Sequence, residues 1–181
     1  MDADEFWRLI DEARAESGPE DADAEKIAAK AVELFAQLPA EEILDAHRLL
    51  EDRLAGSYVA PLWAAGYVIN GGCSDDGFEY FRGWLLTCGK EVFERATADP
   101  DSLADVPAVQ AAARSGWELE CETARGITRE AYEQATGGPL PAGVWQGSYP
   151  DLGGDYWFDY SDGARLARLL PRLTALHAAE A

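Results

Sequence analysis

Positive charge is what this chain has least of for its size: 15 Lys and Arg stand against 34 Asp and Glu, a net charge of −19. So acidic a surface repels phosphate backbones and anionic lipid, which argues against nucleic acid and membrane as partners. Histidine is scarcer still, at two. With no GxSxG stretch present, Ser–His–Asp or Cys–His chemistry would have to recruit His47, which falls on the apolar stripe of its helix. The three cysteines, Cys73, Cys88 and Cys121, form an odd set without CxxC spacing, so neither a disulfide framework nor a zinc site is indicated. No phosphate loop is present, since "NGGCSD" lacks a lysine and leads into carboxylates. Charge is absent between Arg53 and Asp75, yet Gly56, Ser57, Pro61, Gly66, Asn70, Gly71 and Gly72 break that run too often for a membrane span. The start, "MDADEFWRLIDEAR", is acidic and amphipathic, unlike a signal peptide. A cytoplasmic, reduced protein is the expectation.

What the chain does have is apolar surface to bury. Its 181 residues are 48% hydrophobic, with six Trp, seven Tyr and six Phe, which suits a single domain over 1–181. Asp2 with Glu5 reads as a capping box ahead of Phe6, Trp7, Ile10 and Ala13. Ile27, Ala31, Leu34 and Leu38 share one helical face, and Ile43, His47, Leu50 and Leu54 repeat the spacing. "YVAPLWAAGYVIN" reads as a helix buried on most sides. After Gly71-Gly72 another helix begins, which Gly89 interrupts. The stretch 107–138 reads as one long helix or two shorter ones, weakened at Gly116 and Gly126. Residues 137–161, rich in Gly, Pro and aromatics, read as a loop or short hairpin over the bundle, followed by a helix from about Ser161 with a kink at Pro171. The fold class is all-α, a single-domain irregular helical bundle with that aromatic segment.

Three stretches, "DEFWRLIDEAR", "LWAAGYVINGGCSDDGFEYFRGWLLTCGKEVFERA" and "ADPDSLAD", together resemble the bacterial domain family of unknown function numbered 4240. The likeness spans about residues 4–105, with FW-x-LI, LW-x-AA, SDD-x-F-x-x-FR-x-WL and the PDSLA turn in order. The resemblance implies a helical fold and no particular chemistry. Residues 106–181 stand outside it as a C-terminal helical extension.

The helix that opens at Ser74 holds the densest set of polar groups. Ser74 is a natural N-cap, and Asp75 and Asp76 occupy the first turn, where the helix dipole favours negative charge. "DDGFE" also has the DDxxE form by which some helical enzymes hold Mg²⁺ or Mn²⁺. Asp75, Asp76 and Glu79, with Glu118 and Glu122 as an i, i+4 pair from a second helix, are therefore candidate metal ligands. Capping is the plainer explanation of the aspartates. Arg82, amid Phe78, Phe81 and Trp84, is either a buried ion pair tying two helices or an anchor for an anionic ligand, in a pocket lined by Trp63, Tyr67 and Asn70. Cys73 precedes the cap, where the helix N-terminus would lower its pKa and the aspartates would raise it. Trp145, Tyr149, Tyr156, Trp157, Phe158 and Tyr160 are a further place for ligand stacking or a protein contact.

No complete catalytic constellation emerges. The favoured expectation is a non-enzymatic module, without a cofactor, that binds a macromolecule, its acidity suiting a basic protein partner. The alternative is a phosphohydrolase using Mg²⁺ or Mn²⁺, or a small-ligand binder, built on the acidic helix. Oligomeric state is not legible at this stage.

Overall fold

The protein is described by a computed structural model over residues 1–18, 23–152 and 162–178. Asp2 caps the first helix, α1 (Ala3–Ser17), by accepting the Glu5 amide proton at 2.9 Å, as its spacing predicts. The face that α1 buries, Phe6, Trp7, Ile10 and Ala13, packs on α2 (Ala24–Phe35). There Ile27 and Ala31 are fully buried and Leu34 is half covered, while Leu38, expected on the same helical face, lies in the turn beyond the helix end and is also half covered. Pro39 opens α3 (Ala40–Gly56), whose buried stripe is Ile43, Ala46, His47, Leu50 and Leu54. His47 places Nδ1 3.0 Å from the Thr128 hydroxyl, so it is a core histidine with a partner.

Helix α4 (Ala60–Asn70) takes Pro61 in its first turn, where the missing N–H is of no consequence, and is buried on most sides. Gly71 ends it in the left-handed conformation. Helix α5 (Asp75–Thr87) follows, and Gly89, at φ +86°, separates it from α6 (Lys90–Ala98). A 3-10 turn at Pro100–Asp105 then leads into α7 (Pro107–Ser115).

The stretch read as one or two helices resolves into two with an extended piece between them. Gly116 stops α7 at φ +71°, residues 117–122 run without helix, and a second 3-10 turn (Thr123–Gly126) precedes α8 (Ile127–Thr136). The extended piece lies directly on α5: the Cys121 amide donates to the Tyr80 carbonyl at 2.9 Å, and a Cβ at Gly83 would overlap the Cys121 carbonyl oxygen. Gly83 is therefore the residue that lets the two backbones approach. Helix α8 closes the arrangement against α2 and α3.

Beyond α8, residues 137–152 form a strap across α3. Arg48 donates its Nε to the Val144 carbonyl at 3.1 Å, and the Trp145 indole donates to Asp52 at 2.7 Å. Tyr149 sets its ring edge-on against Tyr58, centroids 5.3 Å apart. Tyr156, Trp157, Phe158, Tyr160 and the expected helix start at Ser161 lie outside the described residues. The last helical stretch is two helices, α9 (Gly163–Leu169) and α10 (Pro171–Ala178), because the chain breaks at Leu170, just before the Pro171 at which a kink is expected. Helix α10 packs on the first 3-10 turn, α4 and α7. No strand occurs among the described residues, so the fold is an all-α irregular bundle. Among those residues no helix is long and apolar enough to cross a membrane.

Candidate functional site

Helix α5 starts as its sequence predicts. The Ser74 hydroxyl accepts the Gly77 amide proton at 3.1 Å, and Asp75 and Asp76 stand exposed in the first turn. One turn on, Glu79 is held between two guanidiniums, Arg82 of its own helix and Arg125 of the second 3-10 turn at 2.8 Å. Arg82 is fully buried and also donates to the Leu54 carbonyl. Among the described residues its Nε has no hydrogen-bond partner, and its guanidinium carbon lies 5.0 to 5.3 Å from the ring centres of Phe78, Tyr58 and Tyr149. This is the buried ion pair, with aromatic rings in place of water around the cation.

The other residues placed around Arg82 have engagements of their own. Trp63 stacks on Phe78, centroids 4.8 Å apart, and donates its indole N–H to the Cys73 carbonyl at 3.0 Å. Asn70 uses both ends of its amide on the backbone of Leu119, accepting at 3.0 Å and donating at 3.4 Å. Tyr67 is half buried against the core. Asn70 is thus a clamp on the extended piece, and its polar atoms are directed at the chain itself.

The expected carboxylate cluster is not assembled. Among the described residues no three His, Cys, Asp or Glu side chains are placed to hold a metal ion. Glu118 and Glu122 do not form an i, i+4 pair on a helix, because residues 117–122 run without one. They serve different spaces, Glu118 a groove near α7 and Glu122 a cavity near α8. Cys73 is equally unlike a nucleophile: burial, then Glu120 and Glu118, push its thiol up to about 12. Burial does the same to Cys88 and Cys121.

A feature missed in the sequence lies on the extended piece. Trp117 is 78% exposed, the most exposed large hydrophobic side chain among the described residues. It stands at the edge of a groove of about 480 Å³ floored by Trp84 and walled by Ala108, Ala111 and Ala112 of α7. Asp23, Glu118 and Glu120 rim it. Among the described residues Glu118 and Glu120 enter no ion pair, and burial, reinforced by Glu118, raises the Glu120 carboxyl above its ordinary value. The signal was in "SGWELECE": a lone Trp after a helix-stopping Gly, among acids, has no apolar stripe to belong to.

A family described as "Protein of unknown function (DUF4240)" matches residues 1–134. The chain belongs to this family. The match reaches beyond the 4–105 stretch carried by the quoted motifs, through α7, the extended piece and nearly all of α8. The groove and the Glu79–Arg82–Arg125 pairs are therefore family territory, whereas the strap, α9 and α10 follow it. No curated protein and no solved structure matches the chain.

Proposed function

We propose that this protein is a non-enzymatic, cytoplasmic binding module whose groove beside Trp117 docks a basic, amphipathic segment of a partner protein. The observation that carries the reading is Trp117 itself, held 78% exposed next to apolar space and the Glu118 and Glu120 carboxylates. An exposed tryptophan is the side chain most often found at the energetic centre of protein contacts. The alanine wall of α7 admits close approach of apolar side chains, and Glu118 and Glu120 would meet lysine or arginine at the rim. Acidic surroundings speed the encounter and reject acidic competitors.

The test uses labelled helical peptides of alternating leucine and lysine faces, with glutamate-for-lysine versions as controls. The lysine peptides should bind, read by fluorescence anisotropy, and the glutamate peptides should not. Trp117→Ala should weaken binding at least about tenfold, as removal of a hot-spot side chain does. Glu118→Gln with Glu120→Gln should weaken it and flatten its salt dependence. Binding indifferent to all three substitutions would place the contact elsewhere and remove this reading.

A further inference from the structure

Further along the piece that carries Trp117, a separate cavity of about 360 Å³ opens between α3, the second 3-10 turn and α8. Five charged side chains line it: Glu51, Glu122, Arg125, Arg129 and Glu130. Arg125 already holds Glu79, although its Nε is buried without a hydrogen-bond partner among the described residues. Glu51 and Arg129 are different. They line the same space from α3 and α8, yet neither side chain enters an ion pair or hydrogen bond among the described residues.

Burial raises the Glu51 carboxyl above its ordinary value, with Arg129 and then Arg125 opposing that rise. Arg129 is near enough to act on the Glu51 charge, yet among the described residues neither group makes a direct ion pair, and an anion short of water is improved by a cation in contact with it. A doubly negative phosphate would meet three carboxylates here, and a plain amine would bring no anion to Arg129. A ligand carrying one charge of each sign escapes both penalties. The volume lies near the lower end of the roughly 300–1,000 Å³ typical of small-molecule sites, which suits a single small metabolite. We propose that this cavity binds a free α-amino acid, its carboxylate on the Arg129 guanidinium and its ammonium on the Glu51 carboxylate. The site is independent of the Trp117 groove.

The full chain is melted with each of the twenty amino acids, and separately with acetate, methylammonium and inorganic phosphate. At least one amino acid should raise the melting temperature by about 2–4 °C at several times its dissociation constant. Acetate, methylammonium and phosphate should each leave the melt unmoved. Arg129→Gln and Glu51→Gln should each abolish the response, while Trp117→Ala should keep it. Both cavity variants should fold: Arg129 is exposed, and Glu51→Gln removes a desolvated charge. Because the folded-state Glu51 value is raised, its favourable contribution is complete below the ordinary value near 4.5 and lost as pH rises through the raised one. Glu51→Gln should accordingly melt higher than the parent at neutral pH. No response to any amino acid, an equal response to phosphate or acetate, or a response surviving in Glu51→Gln would each overturn the inference. None of those outcomes touches the groove.

Discussion

A guanidinium with no exposure has to find its compensation within the fold, and Arg82 finds it in three kinds of neighbour: the Glu79 carboxylate, the Leu54 carbonyl and the rings of Tyr58, Phe78 and Tyr149. Glu79, at 18% exposure, is held in turn by Arg125. Breaking a buried pair from one side leaves a charge in a medium that solvates it poorly, which costs about 3–5 kcal/mol, whereas removing both charges costs much less. Arg82→Met should therefore destabilise the protein by about that amount in denaturant unfolding, and Arg82→Met with Glu79→Leu should recover part of the loss. A double variant as damaged as the sum of the two single ones would show that the charges are not coupled. The burial of Arg82 was legible, since three aromatic residues within four positions leave little room for water. The second partner of Glu79 was not, because Arg125 lies 46 positions beyond it and no local spacing reports such a pair.

Among the helices the same divide recurs between local and distant causes. Ser74 and Asp2 cap their own helices three residues away, within reach of any reading of spacing. Helix α10 is capped from elsewhere: Asp101, in the PDSLA turn, accepts the Arg172 amide proton at 3.0 Å and the Leu173 amide proton at 3.0 Å, across about seventy residues of chain. A motif of the family region thus fastens the C-terminal helix that follows that region. Glu118 and Glu122 misled for a related reason. Their spacing fits a helix, but Gly116 ends α7 before them, and the Tyr80 carbonyl and Asn70 amide hold the chain extended. Asp101→Ala should cost about 1–2 kcal/mol, as loss of an N-cap does, and Asp101→Asn should retain most of that. Hydrogen exchange should show the loss as faster opening of α10 ahead of α3 or α5. Unchanged exchange in α10 would mean that packing alone holds it.

Taken as a whole, the molecule has more acid than it can neutralise. Arg8, Arg14, Lys26, Lys30, Arg48, Arg82, Lys90, Arg95, Arg125 and Arg172 already hold carboxylates, and 34 acids against 15 Lys and Arg leave a surplus of 19 negative charges even with every base paired. At about 0.01 M salt the screening length is roughly 30 Å, so these charges repel one another across the fold; at about 0.15 M it is roughly 8 Å. Self-repulsion destabilises a compact state more than an expanded one. Adding sodium chloride from about 0.01 to 0.5 M should therefore raise the melting temperature, while the same titration weakens docking of a basic peptide at the Trp117 groove. Opposite signs in the two titrations are the signature of one cause, the uncompensated acidic field. A melting temperature that stays flat or falls would mean that the charges are balanced locally despite the total. Peptide affinity that ignores salt would reduce the groove to its apolar contact with Trp117, leaving Glu118 and Glu120 as bystanders.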